Sequence, residues 1–434
     1  MNRLKGYDVV ALGFMTFALF LGAGNIIFPP SAGMAAGSEL WITAIGFLLT
    51  GVGLPLLTVV ALARVGGGMD QLTSPIGRIA GVALAVAVYL AIGPLFATPR
   101  TAVVSFEMGI VPFTGVSDMA LLVFSCLYFG LVLFLSLTPG ELVDRVGKFI
   151  TPLLIVALLL LGGAAIFMPV GPVGVPAPDY ARAPFTKGFL DGYLTMDTLG
   201  ALVFGIVITT AVQSRGIREP RLITRYTIVA GLMAAAGLSL VYLALFYLGA
   251  TSHEIAAGAE NGVQILTAYV DHRFGLAGNL LLAVVITLAC LTTAVGLVTA
   301  CGEYFSALLP VSYRTVVVVF SAFSLLVSNQ GLTQLISVSV PVLVGLYPLA
   351  IVLVGLSLMS RGWRRPSTVF VPVMAVTLVF GIADGFAAAG LNAVVPAFFT
   401  QLPLADKSLG WLVPVVLTLV VVAVIDRLRP THPA

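Results

Sequence analysis

Three short clusters carry most of the polar chemistry that this 434-residue chain keeps inside its apolar stretches. The first is Gly22-Ala23-Gly24-Asn25, in a run with no charged residue between Val9 and Ala36. Glycine leaves helical dihedrals cheaply. A helix that restarts after such a break presents free N–H groups at the positive end of its dipole, a seat for a carboxylate. Asn25 adds two donors and an acceptor. Close helix packing through small residues is the plainer alternative, but the two-residue spacing of Gly22 and Gly24 does not make one packing face, and Asn25 is then unexplained. The second cluster is Gly192-Tyr193-Leu194-Thr195-Met196-Asp197-Thr198-Leu199-Gly200. A helix entering at Phe189 puts Asp197 about 12 Å deep at 1.5 Å per residue. A carboxylate at that depth costs about 2.5–3.5 kcal/mol and needs a partner or a wet cavity. It suits an ammonium, an unwound backbone or a proton relay; the plainer alternative is a helix N-cap at the interface. The third cluster is Ala289-Cys290-Leu291-Thr292-Thr293. Two adjacent hydroxyls and a carbonyl three or four residues earlier can surround one small hard cation such as Na+, although threonine back-bonding to the preceding turn uses the same residues.

The elements that hold these clusters follow from composition. Charged residues make up 9% of the chain and hydrophobic ones 59%, with a mean hydropathy of +1.12; ordinary soluble domains carry about 25% charge. Lipid must therefore be the solvent, and the chain is expected to be an all-α integral membrane protein. About 20 apolar residues cross a bilayer as helix. Such stretches occur at 8–35, 40–63, 77–106, 118–138, 148–168, 189–213, 226–250, 275–300, 314–328, 333–359, 368–390 and 409–426, which predicts twelve transmembrane helices. The division between the ninth and tenth rests on Ser328-Asn329-Gln330-Gly331. Of 21 basic residues, Arg100, Arg182, Lys187, Arg273 and Lys407 fall on one side and the other sixteen on the side of the termini. The positive-inside rule then makes both termini cytoplasmic. The first apolar run continues to Pro30, too long for a signal-peptide core of about 7–15 residues, so it reads as a retained helix.

In a membrane every backbone polar group must be satisfied within the protein, so irregular backbone survives only where it lines a cavity. Two interrupted helices meeting at mid-depth are how secondary transporters build a substrate site. Other features read more plainly. Arg100 and Glu107, seven apart at the outer end of the third span, suit a gate, a pair or snorkelling at the interface. The outer loop 251–274 holds an expected short helix from His253 to Val270. The three cysteines lack paired spacing and the three histidines lie apart, so no metal cluster of that kind is expected. A net charge of +3 argues against nucleic acid, and no obligatory protein partner is evident. The few ionisable groups at depth offer no general acid–base pair, which argues against an enzyme.

The segments GFMTFALFLGAGNIIFPP (13–30), GPLFATPRTAVVSFE (93–107) and GYLTMDTLGALVFGIVI (192–208) closely resemble the bacterial branched-chain amino acid:cation symporter family. The resemblance runs over the whole chain. It implies a leucine-transporter-type fold in a single domain, 1–434: a 5+5 inverted repeat, approximately 8–168 and 189–359, plus two helices at 368–390 and 409–426, with the first and sixth helices broken. It implies Na+-coupled import of leucine, isoleucine and valine by alternating access across the bacterial inner membrane, with a proton-coupled carrier of the same fold as the alternative. It further implies that the amides of Gly22, Ala23, Gly24 and Asn25 hold the substrate carboxylate and that Thr195, Met196, Asp197 and Thr198 line the pocket. The carbonyls of Ala18, Leu21 and Ala289 and the hydroxyls of Thr292 and Thr293 would bind Na+. Relatives of this fold with two sodium sites use a seventh-helix asparagine, which 226–249 lacks, so one Na+ per cycle is expected. Some proton-coupled relatives carry a fifth-helix lysine, absent from 149–168, which favours Na+.

Overall fold

The first apolar run cannot continue as one helix through Gly22, and it does not. A computed structural model describes residues 4–137 and 141–428, apart from the side chains of 141–152 and 361. Arg3, Arg429 and the side chains of Arg145, Lys148 and Arg361, all counted above in the charge bias, lie outside the described residues. Helix α1 (Gly6–Phe20) stops, Leu21 and Gly22 run extended (φ −75°, ψ 95° and φ −121°, ψ −168°), and α2 (Ala23–Ala36) restarts. Pro29 and Pro30 then remove two amide hydrogens from α2, which frees carbonyls a turn earlier. The second span is α3 (Leu40–Leu48) and α4 (Leu54–Val65), joined by a π-turn at Leu49–Gly53. The third is α5 (Arg78–Leu90) and α6 (Ala97–Gly109), joined by a π-turn at Ala91–Leu95 that contains Pro94 and a non-helical Gly93. Helices α7 (Asp118–Leu137) and α8 (Glu141–Phe167) follow.

The sixth span is also interrupted. Helix α9 (Pro184–Asp191) passes into a 3-10 turn, Gly192–Thr195; Met196 takes a left-handed conformation (φ 63°, ψ 11°), and α10 (Asp197–Ser214) begins. Beyond it lie α11 (Pro220–Ala250), α12 (Gly262–Leu308), α13 (Tyr313–Ser328), α14 (Leu332–Leu358), α15 (Pro366–Ala388) and α16 (Leu412–Leu428). Helix thus occupies each expected stretch, and eight helical runs among the described residues are long and apolar enough to cross a bilayer.

The broken segments form the centre. Helix α2 lies against α11, α9 against α3, α10 against α4, and α6 against α12. The α2–α11 contact is backbone on backbone: a Cβ at Gly33 would collide with the Phe246 carbonyl, and one at Gly249 with the Pro30 carbonyl. The outer faces carry exposed leucines, among them Leu127, Leu160, Leu240 and Leu417, an apolar surface suited to lipid and too extensive for water.

Two expectations need correction. The outer-loop helix starts at Gly262, not His253, because Asn261 caps it by accepting from the Val263 and Gln264 amides at 3.0 and 3.2 Å, the usual work of an N-cap asparagine. It then runs into the eighth span across a kink at Gly275 (φ 57°, ψ −155°). Arg100 and Glu107 do not pair: Glu107 Oε2 accepts from Asn261 Nδ2 at 3.1 Å, while Arg100 turns inward. Replacing Gly33 with leucine forces α2 and α11 apart and should cost about 1–3 kcal/mol or more; equilibrium unfolding in mixed micelles, compared with wild type, checks this.

Candidate functional site

The two breaks touch. A Cβ at Gly24 would sit 2.9 Å from the Thr195 carbonyl oxygen and 3.1 Å from its Cα, so only glycine lets the start of α2 approach the sixth-span turn this closely. Asn25 secures the contact. Its Oδ1 accepts from the Gly22 amide at 2.8 Å, and its Nδ2 donates to Asp197 Oδ2 at 2.7 Å. Tyr242 of α11 donates from its hydroxyl to the same Asp197 oxygen at 2.7 Å and itself accepts from Asn25 Nδ2. Asp197 is 5% exposed and Asn25 1%. The carboxylate is therefore no interfacial N-cap. It is the first residue of a half-helix, where the dipole favours negative charge, and it is joined to Asn25 of the first break and Tyr242 of α11.

A narrow cavity opens beside this network. Leu19, Phe20, Gly22, Ala23, Gly24 and Asn25 form one wall, and Thr195, Met196, Asp197, Gly200 and Phe204 another. Ile92, Ala97, Arg100 and Thr101 of the third span and Thr293 and Leu297 of α12 close it. Of the residues expected at a pocket, Thr198 alone is buried outside this lining. Sequence reasoning missed Tyr242 and placed Arg100 at the outer interface. The available signal for Tyr242 was a phenol in mid-helix, away from the interfacial belt where tyrosine is usually enriched. A wider groove of about 800 Å³, between 76–87, α14 and α15, has no charged residue in its wall and offers no seat for a zwitterion.

The break also changes the partners of two first-helix carbonyls. In a continuous helix the Gly22 amide would bond the Ala18 carbonyl and the Asn25 amide the Leu21 carbonyl. Here the first goes to Asn25 Oδ1 and the second to the Gly22 carbonyl at 3.2 Å, which releases both acceptors. In α12 the Thr292 and Thr293 hydroxyls donate to the Ala289 carbonyl at 2.9 and 3.0 Å, placing three oxygens together. A Cβ on Gly22 would lie 3.5 Å from Thr293 Cγ2, so the two halves adjoin. The donor set is all neutral oxygen, which suits a hard monovalent cation.

Two broken helices around a buried polar cavity, in an all-helical chain built to span lipid, define a transporter of the leucine-transporter fold. The chain belongs to the branched-chain amino acid transport protein family, whose profile matches residues 5–429. It is 72% identical over 428 residues to the branched-chain amino acid transport system 2 carrier protein of Pseudomonas aeruginosa, covering 99% of this chain and 98% of that protein. It is 54% identical over 426 residues to the branched-chain amino acid permease BrnQ of Escherichia coli, covering 98% and 97%. The fold matches that of Mhp1, a nucleobase-cation-symport-1 family transporter in a closed conformation, with a TM-score of 0.62 at 13% identity over 97% of this chain and 94% of that one. It also matches MhsT in complex with L-phenylalanine, at 0.54 and 16% over 95% and 98%. These relatives are carriers and permeases, and the chain is a transporter rather than an enzyme.

Asn25→Ala and Tyr242→Phe should each destabilise the fold by about 1–3 kcal/mol by leaving Asp197 short of a donor. Because they share that oxygen, the double variant should cost measurably more or less than the sum; a strictly additive pair in equilibrium unfolding would separate them.

Proposed function

We propose that the protein is a Na+-coupled symporter that imports leucine, isoleucine and valine by alternating access across the bacterial inner membrane, with both termini cytoplasmic. The observation that carries the substrate reading is the contact of the two breaks at Gly24 and Thr195, with the α2 N-terminus and Asp197 facing one cavity. The substrate carboxylate meets the amides of Gly22–Asn25, and the ammonium meets Asp197, whose Oδ1 is the oxygen not engaged by Asn25 and Tyr242. The side chain enters the apolar part near Ile92, Phe204 and Leu297. Such a pocket separates substrates one methylene apart by only about 1–3 kcal/mol, so all three branched residues are accepted. The names of the relatives support the same substrate class.

Na+ sits among the freed carbonyls of Ala18 and Leu21, the Ala289 carbonyl and the hydroxyls of Thr292 and Thr293. A neutral shell lets the ion leave on the low-sodium side. One charge moving inward gains about 2.3 kcal/mol per 100 mV, which supports about 40-fold accumulation at about 1.4 kcal/mol per tenfold. The architecture is twelve membrane spans, with repeats at 8–168 and 189–359 and two spans after them. The competing reading is proton coupling, favoured by the buried Asp197 carboxylate. Labelled leucine uptake into proteoliposomes decides: it should follow an imposed sodium gradient, and Thr292→Ala with Thr293→Ala should raise the sodium needed for half-maximal uptake at least tenfold. Uptake driven by a pH gradient in sodium-free buffer, with an unaltered double variant, would select the proton.

A further inference from the structure

Arg100 is left over by that reading, and its surroundings are unusual. The side chain is 1% exposed. Its guanidinium donates to the Leu194 carbonyl at 2.8 Å and to Ser339 Oγ at 3.1 Å, and lies 5.0 Å from the centre of the Phe28 ring. Among the described residues it bonds to no carboxylate, and its Nε has no partner. Two neutral oxygens and a ring face do not neutralise a buried cation, and an uncompensated charge at membrane depth is costly. The guanidinium fork carries five N–H donors in one plane, a shape that matches a carboxylate in two bonds. Arg100 is held in place by three elements: the sixth-span turn, α14 and α2.

Arg100 and Asp197 are the charged residues in the cavity wall, and they do not pair with each other. Phe28, over which Arg100 stacks, is one turn beyond Gly24, so the cation stands beside the same half-helix whose first amides face the cavity. Positive and negative seats are thus separated across one small space, the complement of a zwitterion. We propose that Arg100 is a substrate-binding residue that grips the carboxylate of the bound amino acid together with the α2 amides. The inference rests on the amino-acid reading above and adds to it a second, charged anchor. The rival is a structural role, in which Arg100 only caps the Leu194 carbonyl at the break.

Leucine and leucinol separate the two. Leucinol keeps the ammonium and the side chain and replaces the carboxylate with a neutral alcohol. Binding of each to the purified full-length protein is measured for wild type, Arg100→Gln and Arg100→Lys. Arg100→Gln should weaken leucine at least about tenfold, as expected for a lost charge-assisted bond, and leave leucinol within about twofold. Arg100→Lys, which keeps the charge without the fork, should fall between. Equal weakening of both ligands, or no weakening of leucine, overturns the proposal. If Arg100→Gln does not fold, Ser339→Ala frees one bond of the fork while keeping the charge, and the leucine-to-leucinol ratio should shift a few-fold; an unchanged ratio is again fatal. A wild-type protein that binds no leucine would instead defeat the amino-acid reading itself.

Discussion

The bond from Asn25 to Asp197 is the constraint on which the centre of this protein depends. It joins residues 172 positions apart, one at the start of α2 and the other at the start of α10. A carboxylate and an amide buried in an apolar bundle are costly unless satisfied. Here each satisfies the other, and Tyr242 completes the set from α11. The same Asn25 takes up the Gly22 amide, so a single side chain both terminates the first helix and ties it to the sixth-span break. A polar network of this kind specifies one arrangement, because any shift of α2 or α10 strands a buried polar group.

Much of this was legible in the sequence. Gly22, Gly24 and Asn25 in a charge-free run and Asp197 beside Met196 and Gly200 marked the breaks, since neither cluster fits a continuous lipid-exposed helix. Helices over the long apolar stretches were legible from length and apolarity alone. What escaped was set by neighbours distant in the chain. Tyr242 reads as one more aromatic in α11 until Asp197 is placed beside it. The linear count from Arg78 puts Arg100 near the outer surface, whereas its partners, Leu194 and Ser339, come from the sixth and tenth spans. The outer helix starts at Gly262 rather than His253 because the Asn261 side chain caps it.

Gly22 adjoins groups from two helices. A Cβ on Gly22 would meet both Thr293 Cγ2 at 3.5 Å and Asn25 Oδ1 at 3.6 Å, and both residues line the same cavity. A ligand in that cavity would act on the Gly22 peptide. For the proposed substrate and cation sites, coupling would be reciprocal by thermodynamic necessity, and Gly22 would be a short physical route for it. No long relay of side chains is needed.

The π-turn at Ala91–Leu95 bears on this geometry in another way. Each residue of an α-helix advances about 100° around the axis, and a wide turn accommodates one residue more than a regular one. With a non-helical Gly93 inside the turn, everything after it in the third span takes a different rotation from an uninterrupted helix. With a regular turn there, the guanidinium would point along a different azimuth from the one that faces Phe28 and Leu194. The bulge sets the compass bearing of the charge.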